Sequence, residues 1–178
     1  DEELKFEPLL PGDDAPLVHT AQLLSVDNSG KLAGPNDANS QIDRLLTRLA
    51  EVLNSSGSDL DRTAKLNWYV ATDEVAGHVR QTIPARIPEG NRPAMSFVVT
   101  ALPLDGALAA VDAVAAGAKQ ATSAVGRSAS AATMPPGSRI YISGQAEPGT
   151  LPEATRKTLE SLSSTLKFCG RTDRDIVQ

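Results

Sequence analysis

Residues 41–70 read QIDRLLTRLAEVLNSSGSDLDRTAKLNWYV and contain two different apolar periods in succession. In the first half, apolar residues recur every three or four positions, which is the spacing of one face of an α-helix. In the second half, Leu66, Trp68 and Val70 alternate with polar residues, which predicts a half-buried strand. The helical stripe consists of Ile42, Leu45, Leu46, Leu49, Val52 and Leu53. A helix that leads into a strand is therefore the centre of the predicted fold.

The segments on both sides complete an α+β domain. Residues 17–24, the turn formers VDNSG and the segment GKLAG predict two strands before the helix. After the strand, residues 73–83 form a weaker helical pattern that begins at Asp73 and that Pro84 should end. The runs PAMSFVVTAL and ALAAVDAVA then predict two strands joined by a turn. The predicted order is β-β-α-β-α-β-β, with the folded domain spanning 1–116.

The remaining chain predicts a linker and the start of a repeat. Residues 117–137 are mostly Ala, Ser, Thr and Gly, which is typical of a flexible linker. Residues 138–178 begin with RIYISGQAEPG, a strand and a turn, and continue into a helix whose start has a possible capping box. Four positions of the first helical region, Leu46, Leu49, Leu53 and Gly57, align with Leu159, Leu162, Leu166 and Gly170, each 113 positions later. This register predicts a partial second β-α unit over 138–178, and it leaves open whether the native chain continues.

Composition and charge narrow the function classes. The 178-residue chain has a net charge of −5, which argues against nucleic-acid and anionic-membrane binding. Cys169 is the single cysteine, so no intrachain disulfide can form. One cysteine and two histidines cannot form the usual zinc site, and we predict neither a metal nor a cofactor. The Ala-rich run at 101–118 contains Asp105 and Asp112 and does not predict a membrane span. We expect a cytoplasmic protein, although the first residue is not Met, which leaves processing or export open.

Three stretches, taken together, resemble the YjgF/RidA family, also called the L-PSP endoribonuclease or reactive-intermediate deaminase family. The three stretches are VHTAQLLSVDNSGKLAG, the segment 41–70 and RPAMSFVVTALPLDGALAAVDAVA. In the second unit, RIYISGQAEPG repeats the family pattern. The resemblance implies a chorismate-mutase-like α+β fold that forms trimers with small-ligand clefts between subunits. It also implies a hydrolase activity, 2-iminobutanoate/2-iminopropanoate deaminase, that converts 2-imino or enamino acids to 2-keto acids.

The resemblance further implies three functional groups, which this chain retains only in part. An Arg clamps the substrate carboxylate, an SGQ turn supplies small groups and backbone donors, and a Glu holds the attacking water. In the first unit Met95 replaces the Arg, and Ala110 aligns with the Glu. Arg92 is an unsuitable substitute because its odd offset from Met95 places it on the other face of a strand. Asp112 matches a second acidic position, which is not the one that holds water.

The SGQ turn is altered in the first unit and intact in the second. It appears as Thr20, Ala21 and Gln22, and then as Ser143, Gly144 and Gln145. The residues predicted to bind a ligand are Thr20, Ala21, Met95, Ser143 and Gly144. No residue is predicted to be catalytic, because the Arg and the Glu are both missing from the first unit.

Three functions follow as hypotheses. The first is a divergent family member that binds a small ligand, an amino-acid-derived imine or a 2-keto acid, and whose first unit has lost ordinary deaminase activity. The second is a non-catalytic structural or interaction module of a tandem-repeat protein. The third is RNA cleavage, against which the acidic charge argues. We also expect a homo-oligomer, because a partial second unit has no sheet of its own to cover its apolar helix. A trimer is the family expectation, and a dimer that exchanges second units is the alternative.

Overall fold

The structure is a computed structural model that describes residues 15–27, 29–118, 125–137, 139–140 and 147–176. The chain divides into two compact units, Asp1–Gly137 and Ser138–Gln178.

In its described residues, the first unit combines a mixed β-sheet with two α-helices. Its helices are α1 (Ala38–Ser55) and α2 (Asp73–Arg86). Its strands are β1 (Leu17–Thr20), β2 (Leu23–Leu24), β3 (Thr63–Val70), β4 (Ala94–Val99), β5 (Ala109–Ala116), β6 (Gly126–Arg127) and β7 (Ala131–Met134). Up to β5 the order is β-β-α-β-α-β-β, as the sequence predicts.

Strand β5 lies at the centre of the sheet, whose order is β4-β3-β5-β1-β7-β6, with β2 also paired to β5. Strands β3 and β4 are parallel, and the other pairs are antiparallel. The register sets Trp68 beside Phe97 on one side and beside Val111 on the other. Residues that share such a row point to the same face of the sheet.

Helices α1 and α2 cover one face of this sheet. Alternate strand residues, including Leu66, Trp68 and Val111, pack with the helical stripe into one core. Five leucine and isoleucine side chains of α1 are fully buried there, namely Ile42, Leu45, Leu46, Leu49 and Leu53. The intervening strand residues point away from the helices, and we call that side the distal face. It carries Asn67 and Tyr69 of β3 and Ala110 and Asp112 of β5.

The buried side chain of Gln41 fixes the start of α1 to two loops. Its Nε2 donates to the carbonyls of Gly34 and Gly106 at 2.9 and 2.8 Å, and its Oε1 accepts from Leu108 N–H at 2.8 Å. Gly34 has φ +63, and a Cβ there would approach Ser40 Oγ to 2.6 Å, so only glycine fits this close turn. The hydrogen bonds of Gln41 with Gly106 and Leu108 position the turn that leads into β5.

Two predicted boundaries differ in the structure around α2. Thr72, not Asp73, caps the helix, because its Oγ1 accepts from Val75 N–H at 3.4 Å. The helix also continues through Pro84 to Arg86, since Ile87 N–H donates to the Ile83 carbonyl beyond the proline. A proline near the C-terminal end removes only one N–H donor, so the last turn can still form.

Part of the predicted linker 117–137 is folded. Strand β7 pairs antiparallel with β1, and β6 pairs with β7, so the first unit reaches Gly137 rather than ending near Ala116. Ala131 and Ala132 are buried in this arrangement. Their side chains bury little apolar area, and the pairing instead satisfies the backbone groups at the β1 edge.

The second unit contains helix α3 (Leu151–Phe168) in its described part. The predicted capping interaction is present, since Glu153 Oε2 accepts from Thr150 N–H at 3.2 Å and from its Oγ1 at 2.9 Å. Gly170, with φ +68, follows the helix end. The strand predicted at 140–145 lies almost wholly outside the described residues. No helix in the described parts of the chain is long and apolar enough to cross a membrane.

Replacing Gln41 with Met should lower the free energy of unfolding by about 1–3 kcal/mol. The Leu108 N–H would lose its acceptor, whereas each glycine carbonyl would keep one other hydrogen bond, from Asn36 or Asp37. Urea denaturation measures the change, and Glu51→Met, at an exposed position of the same helix, is the control. Equal stabilities of the two variants would show that the Gln41 contacts do not hold the loops.

Candidate ligand site on the distal face

A chain of hydrogen bonds crosses three strands of the distal face and ends at Asp112. Ser96 Oγ donates to Asn67 Oδ1 at 2.6 Å, and Asn67 Nδ2 donates to Asp112 Oδ1 at 2.7 Å. Tyr69 OH donates to Asp112 Oδ2 at 3.0 Å. The sheet register causes this meeting, because Asn67 is paired with Ser96 on β4 and with Asp112 on β5. We call these four residues the Asp112 network.

The carboxylate of Asp112 is buried and has only neutral partners. Asp112 is 4% exposed, and both of its oxygens accept hydrogen bonds from uncharged donors. In the described parts of the chain, no Lys, Arg or His forms an ion pair with it. Burial of a negative charge without a cation beside it is costly, so the hydrogen bonds from Asn67 and Tyr69 must stabilise the carboxylate at the middle of the sheet.

The charge of Asp112 affects the pKa of Tyr69. Burial raises the pKa of the Tyr69 phenol above its ordinary value of 10.0, and the hydrogen bond to Asp112 and the charge of Asp112 raise it further. Ionised Tyr69 would place a second negative charge against Asp112 and would lose the proton that it donates. The neutral phenol is therefore the form that the network requires.

The altered SGQ turn lies beside Asp112 as an irregularity between β1 and β2. His19 is paired with Val114 and Leu23 with Val111, so three residues, 20–22, lie opposite the two residues 112–113. The extra residue makes the segment bulge-like, a feature common next to functional sites. Thr20 Oγ1 accepts from Ala113 N–H at 2.9 Å, and Ala21 N–H donates to the Ser130 carbonyl at 2.8 Å.

The structure brings some of the predicted site residues together and separates others. Thr20 and Ala21 flank the Asp112 position, and Ala110 lies on the same face of β5. Met95 does not join them, because it is paired with Leu66 and packs against the helix-covered core. Its strand neighbour Phe97 confirms this orientation, since the Arg80 guanidinium of α2 lies 4.2 Å from the centre of the Phe97 ring.

The remaining sequence predictions concern the SGQ turn of the second unit, Arg92 and metal binding. Ser143 and Gly144, with Gln145, lie outside the described residues. Arg92 is exposed at the end of a short 3-10 turn (Glu89–Asn91). Among the residues that the structure describes, no group of three or more His, Cys, Asp or Glu could hold a metal ion.

Sequence reasoning did not select Asn67, Tyr69 or Ser96 as site residues. The alternation in β3 already placed Asn67 and Tyr69 on the face opposite the core, which was the one available signal. A polar residue on such a face is usually exposed to solvent, and nothing in the sequence gives the register that joins it to Asp112. The pairing of β3 with both β4 and β5 is what builds the network.

Solved structures with this fold include Rid-family proteins. A Rid-family protein of unknown function from Yersinia pestis, YyfB, is 27% identical with a TM-score of 0.52, over 56% of this chain and 77% of that one. The yeast protein YEO7 is 24% identical with a TM-score of 0.53, over 59% and 86% of the two chains. A YjgF-family protein from Neisseria meningitidis is 16% identical with a TM-score of 0.51, over 59% and 86%. No family model and no curated protein sequence matches the chain.

These neighbours define the class as the predicted α+β, chorismate-mutase-like fold. The covered part of the chain is similar in structure to proteins of the YjgF/Rid family. The sequence resemblance pointed to the same family from the order and spacing of its motifs.

Replacing Asp112 with Asn should lower the pKa of Tyr69 part of the way toward 10.0, because burial, the larger cause, remains. An absorbance titration of the phenol measures it in a Tyr141→Phe background, where Tyr69 is the only tyrosine. Asp105→Asn, at an exposed acid, is the control. An unchanged midpoint in Asp112→Asn would contradict the network.

The raised pKa of Tyr69 also predicts how the stability of the fold changes at alkaline pH. Because the folded pKa of Tyr69 is raised, the unfolded chain releases the phenol proton first as pH increases. The stability that Tyr69 contributes is therefore present below pH 10.0 and is lost as the pH rises through the folded pKa.

Proposed function

We propose that this chain is a divergent Rid-type protein that binds a small ligand at a cleft between units and whose first unit has lost ordinary imine deaminase activity. The proposal depends on which residues stand at two positions where the family has an Arg and a Glu. Met95 holds the place of the substrate-clamping Arg and packs toward the helices, and Ala110 holds the place of the Glu. The ligand class that the family implies is an amino-acid-derived imine or a 2-keto acid.

Asp112 does not supply the missing Glu. It lies two residues from Ala110 on the same strand face, which corresponds to a displacement of about 6.6–6.8 Å along the strand. A general base must lie within about 2.6–3.2 Å of the proton that it removes, directly or through one water. The Asp112 oxygens also already accept hydrogen bonds from Asn67 and Tyr69. A ligand positioned for a base at Ala110 would therefore have no base within reach.

The chain should not accelerate hydrolysis of 2-aminoacrylate or 2-iminobutanoate above the uncatalysed rate. Enzymatic generation of the imine, with detection of the 2-keto acid, measures this rate. The double variant Met95→Arg/Ala110→Glu should remain inactive, because an Arg at position 95 would begin on the helix-covered side of β4. Turnover comparable with that of an active Rid protein in the same assay, used as positive control, would overturn the proposal.

A tandem organisation is part of the proposal, and the second unit supports it. Helix α3 begins and ends 113 positions after α1, at Leu151 and Phe168 against Ala38 and Ser55. The 3-10 turns Leu60–Arg62 and Asp173–Asp175 share the same offset. The residues between helix and turn include a glycine with positive φ in both units, at +78 and +68. This agreement supports the interpretation of 138–178 as the start of a second Rid-like unit.

A non-catalytic interaction module is the second candidate, and the exposure of α3 favours it. The stripe of α1 is buried except at Val52, which is partly buried, whereas α3 has no buried residue, with Leu159 62% and Phe168 92% exposed. Exposed apolar stripes of this kind mark association surfaces. We propose self-association, with a trimer as the family arrangement and an exchanged dimer as the alternative, and sedimentation equilibrium distinguishes these. Endoribonuclease activity has less support, because the net charge is −5.

A further inference from the structure

The Asp112 carboxylate has unused hydrogen-bonding capacity. An ionised carboxylate offers about four lone-pair positions on its two oxygens. Asn67 Nδ2 occupies one position on Oδ1, and Tyr69 OH occupies one on Oδ2. Each oxygen therefore keeps a position for another donor.

The geometry of the network fixes Asp112 as an acceptor. Ser96 donates to Asn67 Oδ1, which turns the amide so that its Nδ2 faces Asp112. Tyr69 donates its only proton to the other oxygen. Both described donors are thus neutral, and no described Lys, Arg or His forms an ion pair with the carboxylate. A charged donor would make hydrogen bonds about twice as strong as neutral ones at such a position.

The neighbours of Asp112 are more exposed to solvent than Asp112 itself. Ser96, Asn67 and Tyr69 are each partly exposed, although Asp112 itself is buried. On the opposite side of Asp112, Ala21 and Gln22 of the bulge are exposed. A ligand group that reaches Asp112 would therefore leave bulk water and enter a polar, partly enclosed environment.

We propose that Asp112 binds a hydrogen-bonding organic cation, a primary ammonium or a guanidinium group, held between the network and the bulge at 20–22. The proposal rests on the small-ligand function proposed above and names the charged group of the ligand. It differs from recognition of a ligand carboxylate by an Arg, since the site offers a negative charge. The cation is carried either by a free small amine or by a Lys or Arg side chain of a second copy of this chain.

Titration of the ¹⁵N-labelled full chain with methylammonium chloride tests the proposal. The Asn67 side-chain amide signal should shift saturably, whereas tetramethylammonium chloride, which has the same charge but no N–H donor, should cause no saturable shift. Asp112→Asn should weaken methylammonium binding about 10- to 100-fold. Asp105→Asn, at an exposed acid, should leave binding unchanged.

Tyr69→Phe keeps the test decisive if Asp112→Asn does not fold. This variant retains the carboxylate and frees a lone pair, so methylammonium should bind at least as tightly as to the wild type. If the cation belongs to a second copy, methylammonium should instead dissociate the oligomer in sedimentation, and Asp112→Asn should do the same. Absence of both saturable binding and dissociation in the folded wild type would overturn the proposal. Imine turnover would overturn only the loss of activity proposed above and would leave this result unaffected.

Discussion

The buried carboxylate of Asp112 is the constraint on which the distal face depends. A charge at 4% exposure in the central strand of a sheet must be compensated by its neighbours. Asn67 and Tyr69 provide this compensation because β3 is paired with β5 in a register that sets Asn67 directly opposite Asp112. A shift of that register by one residue would move the polar row to the core side and the apolar row to the distal face. The network and the core therefore specify the same strand pairing.

The two faces of the sheet take different residues of β4. The core face takes Met95 and Phe97 of β4 beneath the helices, with the guanidinium of Arg80 over the Phe97 ring. The distal face takes Ser96, which belongs to the network. The distal face also carries the Asp112 carboxylate on the central strand, and no described Lys, Arg or His forms an ion pair with it. The ligand chemistry proposed for this site follows from that negative charge and not from an Arg that clamps a carboxylate.

The sequence predicted those elements whose apolar period is long. The stripe of α1 covers about three turns, and the alternation in β3 runs through Leu66, Trp68 and Val70, so both elements and their buried faces were predicted correctly. Strand β7 was missed because four residues, AATM, carry no period and gain their stability from pairing with β1, more than 100 positions away in sequence. Sequence and structure select different members of the candidate site. Thr20 and Ala21 follow from the SGQ pattern, but Asn67 and Ser96 become site residues only through the register of three strands.

A double-mutant cycle between Asn67 and Asp112 tests the central claim most directly. Urea unfolding of Asn67→Ala, Asp112→Ala and the double variant gives the coupling free energy of the pair. A hydrogen bond to a buried, ionised carboxylate predicts a coupling of about 1.5–3 kcal/mol. The pair of Asn67 with the exposed Asp105 should give a coupling within about 0.5 kcal/mol of zero. A coupling near zero for Asn67 and Asp112 would show that the network does not hold the distal face, and the account given for the site would be wrong.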